Sequence, residues 1–237
     1  MEKTKYKYLE ESDQVRRLPQ PPLELDYDKS KSIIQLPSPK YIEVEPVSLR
    51  KAIESRRSIR DYSGQPMALG ELSFLLWCTQ GVKEVTTRPA TQRTVPSAGA
   101  RHPFETYLLV NRVEGLGPGI YRFIASKHAL LAVSLEPGLT ERVQDACIGQ
   151  ALVKNSAVTF IWCAVAYRTT WRYVERGYRY IHLDAGHVCQ NLYLAGEAVG
   201  VGVCAMGAFD DDKLNNLLGL DGVEQFAVYL AATGKRK

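Results

Sequence analysis

Cysteine is sparse in this chain and unpaired in pattern: Cys78, Cys147, Cys163, Cys189 and Cys204 are the five in 237 residues. None forms a CxxC pair, and their neighbours are mainly apolar. A disulfide framework and a zinc site are therefore disfavoured, and buried free thiols are expected. Histidine is rarer still, and of the four only His182 and His187 are close in sequence. Five positions apart, they do not stack on one helix face, so no metal site is expected. No apolar run reaches the ~18 residues of a membrane span. Met1 to Tyr8 lacks the apolar core of a signal peptide. A cytoplasmic protein with no membrane partner is the expectation. A net charge of +4 is too dilute for the dense basic face of a nucleic-acid binder. There is no internal repeat.

What is present is a globular composition, 45% hydrophobic and 24% charged. Residues 1–45 are polar and proline-rich, with Leu18-Pro19-Gln20-Pro21-Pro22-Leu23 and Leu36-Pro37-Ser38-Pro39. Such chain favours an extended, polyproline-like arm, lying along the body or a partner, over a packed core element. Residues 46–237 mix helix and strand patterns without a βαβ rhythm or a linker, and are expected to form one α+β domain.

Along that domain, helices are expected from Val47 to Glu54, from Leu69 to a Gly81 stop, from a Thr140 cap to Leu152, from Ile181 to Gly200, and over Lys213 to Leu218 with Asp210 as cap. Strands are expected at Phe104–Asn111, in a hairpin of Gly119–Ile124 with His128–Val133, at Ala157–Tyr167, and at Glu224–Thr233, while Gly202–Phe209 is small and apolar. Lys83 to Arg93 is polar and Thr/Arg-rich and reads as a loop. The Ile181–Gly200 helix has so little polar face that it must be buried, either within the domain or against a second subunit.

Three segments carry candidate chemistry. Ser55-Arg56-Arg57-Ser58-Ile59-Arg60 packs three guanidiniums and two hydroxyls into six residues. Guanidiniums fork onto phosphate or carboxylate, although arginines also end helices for solvation and to offset the dipole. Val95-Pro96-Ser97-Ala98-Gly99-Ala100 is a run of small residues that lets backbone N–H groups approach a ligand, or else an ordinary connector. Gly234-Lys235-Arg236-Lys237 is a basic end, solvated or reaching an anion.

Taken in order with Tyr180-Ile181-His182-Leu183-Asp184 and the Gly200–Asp210 stretch, these motifs resemble the nitroreductase superfamily of flavin enzymes, most closely its SagB-type dehydrogenase branch. The resemblance covers residues 46–237. It implies a mostly antiparallel central sheet flanked by helices, an intertwined homodimer, and FMN held at the subunit interface. It places the FMN phosphate and ribityl chain on Arg56, Arg57, Ser58 and Arg60, with Lys235 and Arg236 sharing the phosphate. Pro96, Ser97, Ala98 and Gly99 of the other subunit would lie against the flavin ring. Ala205, Met206, Gly207 and Ala208 would pass its reactive edge, where backbone N–H groups stabilise the reduced ring. The chemistry implied is hydride transfer at flavin N5 with a small organic or peptide-derived substrate, which calls for no side-chain triad.

The SagB-type oxidases carry a Lys-Tyr pair before the long helix, and the matching positions here are Arg172 and Tyr173. Arginine stays charged at any usual pH, so Arg172 does not serve as a base; it can orient an anion or polarise a carbonyl, while Tyr173 can relay a proton. A surface pair packed on Trp171 is the other reading. Two functional alternatives stand beside the SagB-type reading. One is a nitro- or quinone reductase drawing electrons from NADH or NADPH. The other is a catalytically silent flavin-fold subunit of a modification complex.

Overall fold

The computed structural model describes residues 1–44, 46–87 and 90–237. Its frame is a seven-stranded sheet in which every pairing is antiparallel. The strands are β1 (Ile33–Gln35), β4 (Phe104–Val110), β5 (Gly119–Ile124), β6 (Ala129–Ser134), β7 (Val158–Val165), β8 (Val201–Met206) and β9 (Gln225–Lys235), in the spatial order β1-β6-β5-β4-β7-β9-β8; a separate hairpin pairs β2 (Val82–Val85) with β3 (Thr91–Arg93). The helices are α1 (Leu49–Ser55), α2 (Leu69–Gln80), α3 (Leu139–Ala146), α4 (Ala151–Asn155), α5 (Tyr167–Tyr173), α6 (Arg176–Ala198) and α7 (Asp211–Leu218). This is the expected α+β architecture.

β4 and β7 are buried along nearly their whole length because helices cover both faces of the sheet. One face meets α2 and α6 through Leu72, Leu76, Ile181, Val188 and Leu192. The other meets α3, α4 and α7 through Val143, Val153, Leu214 and Leu218. Strands covered on both sides read as continuous apolar runs, which is how β7 reads in the sequence. Among the described residues no helix is long and apolar enough to cross a membrane. All five cysteines are free, and four are buried.

Several expectations need correction. The Lys83–Arg93 stretch is no simple loop: its two ends form the β2–β3 hairpin, while Arg88 and Pro89 lie outside the described residues. Thr140 to Leu152 is two helices, α3 and α4, broken where Ile148 and Gly149 take φ of 57° and 72°. Thr140 is no cap; its hydroxyl donates to Asn111 Oδ1 at 2.7 Å. α6 begins at Arg176, a turn and a half before Ile181. The arm does contribute a packed element, for Ile33–Gln35 joins the sheet against β6 and Leu36 is buried.

Candidate active site

α6 organises the site from two opposite sides. On one side stand Asp184 and Asn191, on the other Tyr193 and Glu197. Asp184 and Tyr193 are nine residues apart, which is about 14 Å along the axis and about half a turn around it.

On the Tyr193 side lies the arginine cluster. The chain after α1 is laid along the edge strand β8: Ser58 bridges Val203 in parallel, and the Ile59 N–H donates to Val203 O at 2.9 Å. The Ser63 N–H then donates to Lys235 O at 2.9 Å, which brings the cluster beside the basic end of β9. Two glycines allow this approach. A Cβ on Gly202 would sit 2.7 Å from Ile59, and one on Gly234 would sit 2.7 Å from Tyr62. Tyr193 ties the segment down: its Oη accepts from the Ala205 N–H at 2.9 Å and lies 3.0 Å from Ser58 Oγ. The Arg56 guanidinium sits over its ring at 5.2 Å.

The two sets of cations differ in how they are balanced. Lys235 pairs with Glu71, Arg236 with Glu197, and Lys237 with Asp61. Glu197 also accepts from the Ser55 hydroxyl at 2.9 Å. Arg57 and Arg60 are exposed, and among the described residues Arg56, Arg57 and Arg60 have no carboxylate within salt-bridge distance. The neighbouring cavity of about 780 Å³ is lined by Glu43, Glu71 and Glu197, the last two being the partners of Lys235 and Arg236. An anion is therefore drawn to the arginine side. Arg236 Nε is buried with no hydrogen-bond partner, a donor left over on the same side.

On the Asp184 side lies the Pro96–Gly99 turn. The Ser97 hydroxyl donates to Asp184 Oδ2 at 2.6 Å, and the Ala98 N–H approaches the same carboxylate at 3.2 and 3.3 Å. Ser97 Oγ in turn accepts from the His102 N–H at 2.9 Å. Burial raises the Asp184 pKa, against the lowering effect of these bonds. Asn191 holds the same segment one stage earlier, donating to Cys78 O at 3.0 Å and Thr94 O at 3.3 Å.

Arg172 and Tyr173, at the end of α5, lie against this turn. A methyl group on Gly99 would sit 2.5 Å from Tyr173 Oη and 3.2 Å from Arg172 Nε. Non-glycine residues at positive φ gather beside both touching segments: φ is 53° at Ala100, 43° at His102 and 45° at Val174. For β-branched Val174 this is a costly conformation, of the kind that concentrates at functional sites. The structure thus joins Pro96–Gly99 with Arg172–Tyr173, and Arg56–Arg60 with Ala205 and the basic end. It does not bring the two groups onto one ligand within a single chain, because they occupy opposite faces of α6.

Below the turn is a buried charge cluster that the sequence reading missed. Arg168 donates to Glu105 at 2.6 Å, and Arg122 approaches the same carboxylate at 3.9 Å, with all three side chains under a tenth exposed. The arm seals it. Leu25 N–H donates to Glu105, while the carbonyls of Pro22, Leu23, Leu25 and Asp26 accept from Arg168, Arg93 and Arg122. Asp184, Tyr193 and Glu197 were also missed as site residues. For Asp184 and Glu197 there was a signal: isolated carboxylates in an otherwise apolar helix need a partner.

The Nitroreductase family model matches residues 53–235 of this chain. The chain belongs to the nitroreductase family. It is therefore an oxidoreductase, of a family that typically uses a flavin. Over 203 residues this nitroreductase-family chain is 33% identical to Putative nitroreductase MJ1384 of Methanocaldococcus jannaschii, spanning 86% of this chain and 96% of that protein. It is 29% identical over 154 residues to the trifolitoxin-processing protein TfxB of Rhizobium leguminosarum bv. trifolii, spanning 63% of this chain and 41% of TfxB. Among solved structures, a nitroreductase-like protein of Ralstonia eutropha JMP134 superposes with a TM-score of 0.71 at 22% identity, over 93% of this chain and 95% of that one. A chain of the Escherichia coli microcin synthetase McbBCD complex shares the fold with a TM-score of 0.65 at 18% identity, over 84% and 77%.

Proposed function

We propose that this nitroreductase-family protein is an FMN-dependent, SagB-like oxidoreductase that works as a cytoplasmic homodimer on a small organic or peptide-derived substrate. The observation that carries this reading is the unneutralised Arg56–Arg60 cluster, fixed against β8 beside a basic end whose own cations are already paired. That arrangement fits the phosphate of FMN. Arg56, Arg57 and Arg60 would bind it, with Ser58 Oγ and the spare Arg236 Nε as further donors. The Ala205–Ala208 backbone would border the ring. Bound FMN supplies hydride acceptance and donation.

The opposite-face arrangement on α6 supports a second copy as the source of the Pro96–Gly99 turn at each site. On α6, Leu183, Gly186, His187 and Gln190 form an exposed stripe, and on α1 Leu49 and Ile53 are exposed. A second subunit would cover them. Within each site Arg172 orients a substrate group and Tyr173 relays a proton. The likeness to TfxB supports the SagB-type branch and a peptide-derived substrate, and the five free thiols suit a reducing compartment.

The test is direct. Purified protein is expected to be yellow, to release FMN on heating, and to migrate at twice 26.5 kDa. Arg57→Ala is expected to weaken FMN binding at least about tenfold, the loss of one charge-assisted pair. Colourless protein that takes up no added FMN would overturn the reading. Anaerobic titration with NADH and NADPH identifies the donor. Bleaching by either favours the nitro- or quinone-reductase branch, to which the likeness to MJ1384 also lends support.

A further inference from the structure

Residues 1–18 of the arm bear on one corner of the fold, where α5 ends and α6 begins. The Tyr167 hydroxyl donates to Asp13 Oδ2 at 2.9 Å, and the Trp171 indole N–H donates to Leu18 O at 3.1 Å. The Gln14 N–H donates to Trp171 O at 2.9 Å. That carbonyl lies in the last turn of α5, where the helix offers it no partner, so the arm caps it. On α6, Arg176 donates to Thr4 O at 3.0 Å and Arg179 to Thr4 Oγ1 at 2.7 Å, while the Tyr6 and Tyr180 hydroxyls lie 3.2 Å apart. The Arg176 guanidinium sits 4.2 Å from the Tyr6 ring.

Arg172 and Tyr173 stand between these two sets of contacts. Trp171 precedes them in the chain, and Tyr180 meets Tyr173 edge-on at 4.8 Å. Val174, at φ 45°, ends α5 just past them. A helix of seven residues is marginal by itself, and the arm supplies part of what holds this one.

The two ends of the arm are anchored differently. Residues 33–37 are built into the body: β1 pairs with β6, Leu36 is buried, and Pro37 O accepts from the Ser73 hydroxyl at 2.6 Å. Over residues 1–18 only Thr4 and Ser12 are buried, and Tyr6, Tyr8, Val15 and Leu18 stay exposed. The attachment there is mostly polar, with little apolar burial behind it. Such contacts open at a free energy well below that of global unfolding. Pro19, Pro21 and Pro22 follow, a stiff segment about which residues 1–18 can move as one piece.

We propose that residues 1–18 are a releasable strap. Docked, they fix the α5–α6 corner and with it the position of Arg172 and Tyr173 beside the Gly99 turn. Released, they let that corner move while the sheet stays folded. The strap depends on the arm's own contacts and operates with or without a flavin.

Full-length protein carrying Asp13→Ala and Thr4→Val tests this, through amide exchange resolved by mass spectrometry and tryptic cleavage after the exposed Arg16 and Arg17. Loss of the two acceptors is expected to speed cleavage there about tenfold and exchange across residues 167–180 severalfold, with β4 and β7 unmoved. Asp13→Asn with Thr4→Ser keeps both acceptors and is expected to restore the native rates. Faster cleavage with unchanged exchange at 167–180 would mean that the arm fixes nothing there. Exchange rising equally in β4 and β7 would mean that the arm opens only with the core. Either result overturns the strap, and so does cleavage no faster than in the native protein. If the double variant does not fold, Asp13→Ala alone carries the same comparison, with smaller changes of the same sign expected.

Discussion

Asp184 Oδ2 and the Ser97 hydroxyl lie 2.6 Å apart, and this one bond joins the longest helix to the turn that carries Gly99. Asp184→Ala strands the Ser97 hydroxyl and the Ala98 amide together. A loss of about 1–3 kcal/mol is expected in urea unfolding, with faster amide exchange across residues 96–102. Asp184→Asn retains an acceptor and is expected to recover most of the loss. Equal behaviour of the two variants would show that the bond does not hold the turn.

Gly99→Ala and Gly186→Ala are expected to move stability in opposite directions. At Gly99, positive φ and the 2.5 Å approach to Tyr173 Oη penalise a side chain. A cost of about 1 kcal/mol or more is expected, together with displacement of Tyr173. Gly186 lies in mid-helix with nothing within 4 Å of an added Cβ. There alanine is expected to strengthen the helix by roughly 0.5–1 kcal/mol. If alanine at 186 weakens self-association instead, visible in sedimentation, the exposed stripe of α6 is the subunit contact.

His102 is buried beside Arg93, and burial with that charge lowers its pKa from 6.5 to about 3. The folded state therefore favours neutral imidazole. Its contribution to stability is fully present above pH 6.5 and drains as the pH falls toward 3, by up to about 1.4 kcal/mol per unit. Urea midpoints between pH 7 and 4 are expected to fall for the native sequence and to fall less steeply for His102→Asn. Parallel curves would exclude His102 as the source.

Removing Glu105 leaves Arg168 and Arg122 buried without their shared carboxylate. Glu105→Ala is expected to cost about 3–5 kcal/mol, and adding Arg168→Met to restore part of it. Unfolding midpoints of the single and double variants decide this. A double variant less stable than the single one would mean that the arm carbonyls, and not Glu105, hold Arg168.

Local chemistry was legible in the sequence where it is decided locally. Asp210 caps α7 as its position predicts, accepting from the Lys213 N–H at 3.0 Å, and Gly219 ends that helix at φ 69°. The apolar run of β7 announced a strand covered on both faces. The Ile148–Gly149 break was overlooked although Gly149 marked it: exposed Ile148 takes positive φ in a local helix end, where the Gly149 N–H donates to Gln144 O at 2.9 Å. The β2–β3 hairpin lacked apolar alternation, being largely exposed along β2. Arg168 and Glu105 are 63 positions apart, and Tyr193 meets Ser58 across 135. Such partners acquire meaning only once the sheet has fixed which distant segments adjoin.

The two sides of α6 also set what the chain tolerates in evolution. Loops can lengthen at little cost, since closure entropy grows slowly. Between Asp184 and Tyr193 a single inserted residue would advance one partner about 1.5 Å and swing it about 100°. Ser97 or Ser58 would then lose its anchor. The helix acts as a keyed shaft, and its length between those two residues is expected to be invariant even where its surface sequence drifts.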